Sequence, residues 1–142
     1  MIVFDMDGTL TLVGERKKYL EQTPKDWPAF LDACGEDPPN KPIFRLFFNM
    51  ILNGDYLLII TGRDEKYRVT TLHWLKQYGV DFPSEQLLMR PAGDRRHDHV
   101  IKQEIVQPFK DSISVVFEDR SSVVKMWRDM GITCCQVAEG DF

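Results

Sequence analysis

Met1-Ile2-Val3-Phe4-Asp5-Met6-Asp7-Gly8-Thr9-Leu10 opens the chain. An apolar run ends in an acid at residue 5, and Asp7-Gly8 then gives a turn signal, so residues 1–5 read as a buried strand and its exit. Asp5 and Asp7 lie two apart, and their side chains leave on the same side if the extended conformation persists. Two carboxylates then face one pocket.

Working outward, Ile43, Leu46, Phe47, Met50 and Ile51 fall at helical spacing behind Asn40 and Pro42, which predicts a helix over about 41–53 ended by Gly54. Tyr56 to Thr61 reads as a second apolar strand. A helix over about 65–78 follows, with Tyr67, Trp74, Leu75 and Tyr78 on one face and Gly79 as its stop. Further strands are expected at 87–90, 113–118 and 132–137, and further helices at about 98–109 and 121–130. This alternation is the pattern of a parallel sheet covered on both faces. The fold class is α/β and Rossmann-like, with about five parallel strands in a single domain over residues 1–142. Residues 13–40 break the pattern: they hold four of the eight prolines, with Trp27 and Phe30, and read as a small cap-like insertion after the first strand.

Composition narrows the function. The chain has 142 residues, 43% of them hydrophobic, enough for one compact core and no second domain. No segment approaches the roughly 20 apolar residues of a membrane helix, and no cleavable leader is visible. A soluble cytoplasmic protein is expected, in the host cytoplasm if phage-encoded. Cys34, Cys134 and Cys135 suit neither a disulfide framework nor a zinc knuckle, and His73, His97 and His99 lack metal-ligand spacing. The net charge of −4 argues against coating of long duplex but leaves a nucleic-acid end open as substrate.

In open parallel sheets ligands sit at the carboxyl ends of the strands. Asp5, Thr61, Arg90 and Glu118-Asp119 end four of the expected strands, so the fold reading alone gathers them on one edge. There one carboxylate can attack phosphorus while the other gives a proton to the leaving oxygen, and a hard cation such as Mg²⁺ screens carboxylate from phosphate. Gly8 and Thr9 are expected to offer backbone amides to phosphoryl oxygens. A calcium loop fails, because the position requiring glycine is Leu10; a plain Asx turn remains the alternative on spacing alone.

Phe4-Asp5-Met6-Asp7-Gly8-Thr9-Leu10 resembles the first motif of the haloacid dehalogenase superfamily. The other motifs follow in order. Thr61 in Ile-Ile-Thr-Gly-Arg resembles the second, Lys102 the third, and Glu118-Asp119 the acidic pair of the fourth. The resemblance implies Asp5 as nucleophile, Asp7 as general acid/base, Thr61 and Lys102 on the phosphoryl group, and a Mg²⁺ site of Asp5, Asp7, Glu118 and Asp119. Asp98 and Lys102, four apart on one helix face, are read as a pair in which Asp98 holds the ammonium.

A more specific resemblance covers nearly the whole chain. Met89-Arg90-Pro91-Ala92-Gly93-Asp94-Arg95-Arg96 with Asp98 and Lys102, together with Arg16, Thr-Gly-Arg-Asp and the tail Gln136 to Phe142, is similar to the phosphatase half of phage-type polynucleotide kinase/phosphatase. It implies removal of 3′-phosphates, and action on 2′,3′-cyclic ends, in DNA, RNA and nucleotides. Arg16, in the insertion, and Arg63, just past the second strand, are expected to reach the substrate as forked phosphate donors, with Asp98 beside them. Glu118 stands where the family usually has aspartate, which makes Asp119 the firmer ligand. No phosphate-binding loop occurs, so the implied partner is a 5′-kinase, separate or fused; a homo-oligomer is left open. Two other readings stand beside this one. One is a phosphatase or mutase of a small phosphorylated metabolite, which the short insertion disfavours. The other is a non-catalytic module for nucleic-acid ends, which loss of Asp5, Asp7 or Lys102 would have favoured.

Overall fold

The computed structural model describes residues 1–140; Asp141 and Phe142, which close the tail similarity, lie outside the described residues. Strands β1 (Ile2–Phe4), β2 (Leu57–Asp64), β3 (Leu87–Arg90), β4 (Val115–Arg120) and β5 (Cys134–Gly140) form one sheet in the order β3-β2-β1-β4-β5. Each neighbouring pair is parallel, so every connection must cross a face of the sheet. Helices α1 (Lys18–Glu21), α2 (Trp27–Asp32), α3 (Lys41–Leu52), α4 (Arg68–Gln77), α5 (Asp98–Val106) and α6 (Ser121–Asp129) lie in those connections. The α/β class and the five parallel strands are as the alternation indicates.

Strand side chains alternate between two cores. Phe4, Leu57, Ile59, Leu87 and Met89 pack on one face with Phe47, Trp74 and Leu75. Val3, Leu58, Ile60 and Val116 pack on the other with Val106, Val123, Val124 and Trp127. Consecutive apolar residues in each strand are thus both buried, which a sheet covered on two faces demands.

Several boundaries differ from the sequence expectation: β4, expected over 113–118, runs from Val115 to Arg120, so that Glu118 and Asp119 lie inside it, and three others differ for a local reason. β2 runs on to Asp64, because β3 continues to pair with it across an irregular register between Thr61 and Asp64. The helix expected over 98–109 is α-helical only to Val106 and tightens into a 3-10 segment through Ser112, where Pro108 cannot donate an intrahelical hydrogen bond. β5 reaches Gly140, three residues beyond the expected end, pairing with Arg120. Leu46 of α3, expected on the apolar face, is exposed.

The insertion folds as a 3-10 turn over Gly14–Lys17 followed by α1 and α2, with Val13, Leu20 and Phe30 as its own small cluster. Three of its hydrogen bonds tie it to β2, α4 and the turn before α4. Tyr67 Oη donates to Asp32 at 2.5 Å, Trp74 Nε1 to the Asp37 carbonyl at 2.7 Å, and Arg63 Nη2 to the Cys34 carbonyl at 3.4 Å. The segment after β1 is therefore a wall fixed beside the strand ends. No helix among the described residues is long and apolar enough to cross a membrane.

β1 connects to β2 on one side and its other neighbour β4 connects to β5 on the far side, so the two connections leave in opposite directions and open a crevice beyond the carboxyl ends of β1 and β4. Phe47 supports that strand from below: its ring is fully buried, 5.1 Å from Phe4 and 5.7 Å from Phe82. Phe47→Ala is expected to cost about 3–5 kcal/mol in a denaturant titration; a loss under about 1 kcal/mol would contradict this packing.

Candidate active site

Asp5 follows β1 directly, and its amide donates to the Phe117 carbonyl at 3.0 Å, which sets its carboxylate beside the end of β4. β4 delivers Glu118 and Asp119 to the same place. One oxygen from each of Asp5, Glu118 and Asp119 lies within 4.8 Å of the others, and all three residues are buried. Lys102 of α5, only 2% exposed, donates to Asp5 Oδ1 at 2.6 Å and to Glu118 Oε2 at 2.7 Å. Glu118 Oε1 accepts the amides of Asp119 and Arg120 at 3.2 Å each, so both Glu118 oxygens already have donors. Asp119 is held differently. A Cβ added to Gly8 or to Gly140 would overlap its carboxylate, Gly8 has a φ of +90° that only glycine adopts easily, and Thr9 Oγ1 donates to Asp119 Oδ1 at 3.4 Å.

The expected amide cradle at Gly8 and Thr9 is corrected by these contacts. Their N–H groups close the turn itself, on the carbonyls of Thr11 at 3.0 Å and Met6 at 3.2 Å. Gly8 serves by leaving room for Asp119, and Thr9 by holding it.

Asp7 also departs from expectation as a metal ligand, because its carboxylate turns away from the acid cluster to two arginines. Arg63 Nε donates to Oδ2 at 3.0 Å and Arg63 Nη2 to Oδ1 at 2.7 Å, while Arg16 Nη2 also donates to Oδ1. Arg63 lies inside β2, not past it, and is fully buried; it also donates to Thr71 Oγ1 at 3.1 Å and to the Cys34 carbonyl. Arg16 is 4% exposed and lies over the Phe30 ring at 4.1 Å. Both side chains, expected on the substrate, hold Asp7 in this structure. Thr61 is buried too, and its Oγ1 accepts the Arg63 amide at 3.2 Å.

Asp98 does not hold Lys102. It accepts from Arg90, which also donates to the carbonyls of Gly62, Asp94 and Arg96, and from Arg120 at 2.8 Å. Asp98 and Lys102 share a helix face, but the lysine stem runs into the sheet edge while Asp98, at the first turn, stays beside Gly62. Three residues absent from the sequence-based site enter it here: Asp37, Gly140 and Arg120. Nothing in their spacing marked them, since the side-chain partner of Asp37 and of Arg120, and the carboxylate that Gly140 makes room for, are each more than twenty residues away in the chain.

Electrostatics divide the carboxylates into two groups. Burial, then repulsion from Glu118, pushes Asp5 up to about 7 in spite of Lys102. Burial, then Asp5, pushes Asp119 up to about 6, and burial raises Glu118 as well. Burial acts upward on Asp7 also, but Arg63 and Arg16 together outweigh it and hold that carboxyl well below the usual carboxylate range. Burial works against the Lys102 charge, and Asp5 and Glu118 overcome it, keeping the ammonium charged. The acid cluster thus sets three carboxylates against one ammonium. An all-oxygen donor set short of two positive charges fits a hard divalent cation, which Asp5 and Asp119, with Glu118, would hold.

Carboxyls raised in the folded chain contribute stability that is complete below their unfolded values near about pH 4 and is lost as pH rises through about 6 to 7. Asp7, depressed, contributes fully above about pH 4 and loses its contribution only in stronger acid. In chelator, the chain is expected to melt at a higher temperature near pH 5 than near pH 8, with Mg²⁺ narrowing the gap at pH 8. A metal-free melting temperature that climbs from pH 5 to pH 8 would overturn the charge count.

Comparison with known proteins places this geometry. Residues 1–142 match the family described as the polynucleotide kinase PNKP phosphatase domain. The chain is 26% identical over 135 residues to a putative bifunctional polynucleotide kinase/RNA ligase of Autographa californica nuclear polyhedrosis virus, covering 92% of this chain and 18% of that protein. A chain in a structure of the Pnkp1/Rnl/Hen1 complex superposes with a TM-score of 0.81 at 30% identity, over 99% of this chain and 46% of that one. A second, from the Pnkp1/Rnl/Hen1 RNA repair complex, gives 0.83 at 30% identity, over 99% and 43%. The chain therefore spans less than half the length of the relatives it matches. With its sheet order, its strand-end acids and a match that runs from Met1 to Phe142, the chain belongs to the family of polynucleotide kinase PNKP phosphatase domains, haloacid dehalogenase-type phosphatases.

Proposed function

We propose that this phosphatase domain removes 3′-phosphates, 2′,3′-cyclic ends included, from nucleic-acid termini or nucleotides, with Mg²⁺ and through an aspartyl-phosphate on Asp5. The observation that carries the reading is the buried Asp5–Lys102–Glu118–Asp119 cluster at the mouth of the β1/β4 crevice, in a chain matched throughout by this family. When bound, Mg²⁺ would screen the attacking carboxylate from the phosphate and return Asp5 to its anionic form.

In the first step an Asp5 oxygen attacks phosphorus in line with the departing 3′-oxygen. Lys102, 2.6 Å from Asp5, neutralises charge on the phosphoryl oxygens, and Thr61, whose Oγ1 already accepts from the Arg63 amide, donates a hydrogen bond from its hydroxyl to one of them. Asp7 protonates the leaving oxygen. Without substrate the two arginines keep Asp7 ionised, the form that takes a proton from water in the second step. A phosphate dianion docked beside it raises that carboxyl, which is what the first step requires. Water then attacks the aspartyl-phosphate, Asp7 accepts its proton and inorganic phosphate leaves.

The viral relative's name joins a polynucleotide kinase to an RNA ligase. By the same chemistry a 5′-kinase, in a longer chain or on a separate one, is the partner proposed for this domain, since sealing needs a free 3′-hydroxyl and a 5′-phosphate.

Two outcomes are expected when matched oligonucleotides are offered with Mg²⁺. Phosphate should be released from the 3′-phosphate and not from the 5′-phosphate; equal rates would point to a general phosphatase. Asp5→Asn should abolish release, by more than about a thousandfold, with an unchanged circular dichroism spectrum. Appreciable activity in that variant would remove the nucleophile assignment.

A further inference from the structure

Asp37 lies in the insertion, 21 residues from Arg16, and is 4% exposed. Its carboxylate takes Arg16 Nε at 2.7 and 2.9 Å on its two oxygens, and Nη2 as well. Arg16 Nη1 donates to the Phe30 carbonyl at 3.0 Å, and Nη2 to Asp7. Four of the five guanidinium N–H groups are therefore committed, and the Phe30 ring closes one face. Asp37 is itself anchored from outside the insertion, since its carbonyl accepts Trp74 Nε1, and Trp74 is buried in α4. Arg63 completes the group, with Nη2 3.8 Å from Asp37 Oδ2. Two acids and two arginines make a neutral buried set.

We infer that Asp37 is a positioning residue for leaving-group protonation: it fixes Arg16, and through Arg16 the orientation of the Asp7 carboxylate. This inference rests on the assignment of Asp7 as the acid. The physical case is one of charge and fork geometry. Without the Asp37 charge, two buried guanidiniums face one carboxylate, an arrangement with one uncompensated positive charge that favours release of Arg16. An asparagine in its place keeps the shape but turns an N–H₂ toward one Arg16 donor, so the fork cannot be satisfied on both sides. Asp7 then keeps only the Arg63 side of its clamp.

A purely structural role would slow every substrate alike. A role in proton delivery depends on how much the leaving oxygen needs the proton, and p-nitrophenolate departs without one. In Asp37→Asn, kcat/KM, which reports steps only through departure of the leaving group and so excludes the shared hydrolysis of the aspartyl-phosphate, should fall about tenfold to a hundredfold on a nucleoside 3′-phosphate and by less than about threefold on p-nitrophenyl phosphate. Arg16→Lys, which keeps the charge and loses the planar fork, should share this signature, and Asp37→Asn/Arg16→Lys should be no slower than the worse single variant. If Asp37→Asn does not fold, as judged by circular dichroism, Arg16→Lys carries the test alone. Equal losses on both substrates, or additive losses in the double variant, overturn the inference. Failure of the 3′-phosphatase reading looks different: the unaltered chain would cleave aryl phosphates and leave the nucleoside 3′-phosphate intact. Phenyl phosphate, with its poorer leaving group, then replaces the nucleotide, and the same selective loss is required.

Discussion

Three carboxylates buried against one ammonium at the end of a parallel sheet are the constraint on which the rest depends. Burial makes each ionised acid costly, and the single lysine offsets only one of them. The surrounding architecture serves that cluster. β1 and β4 must be neighbours to bring Asp5 beside Glu118 and Asp119, α5 must cross where Lys102 can reach both, and glycines must stand at 8 and 140 to leave Asp119 its place.

The same crevice holds a second carboxylate in the opposite condition. Asp5 and Asp7 are two residues apart, yet one sits among acids and the other between guanidiniums. In the proposed mechanism these environments suit different work: the first would receive the phosphoryl group beside a cation site, and the second would handle protons within a neutral salt-bridge set. The insertion is what makes the division possible, for it contributes Arg16 and Asp37 and is tied to α4 through Trp74. A segment that reads as a small cap thus forms the wall beside Asp7.

How much of this was legible in the sequence varies with the range of the interaction. The opening strand, the alternation of helices and strands, and the gathering of Asp5, Thr61, Glu118 and Asp119 on one edge follow from local pattern plus the handed logic of parallel sheets. The position of Lys102 followed from resemblance to known motifs rather than from pattern, and its partners, Asp5 and Glu118 in place of Asp98, are set by the path of its stem into the sheet edge. Arg63 was placed outside the strand because the apolar run stops at Thr61, whereas β3 decides where β2 ends. The Gly8 and Thr9 amides were assigned to substrate from their place just past the opening strand; in the structure the turn takes up both of them. Asp37 was invisible, since its Arg16 partner stands across a proline-rich stretch without periodicity.

The central claim is that Asp5 carries the phosphoryl group, and covalent trapping tests it most directly. The chain would be mixed with ³²P-labelled 3′-phosphate substrate and Mg²⁺, quenched in acid within the first turnover and mapped by peptide. The account requires label on the peptide bearing Asp5, released by mild base and absent when Mg²⁺ is withheld. Phosphate release without any protein-bound label, or label on a residue other than Asp5, would contradict it.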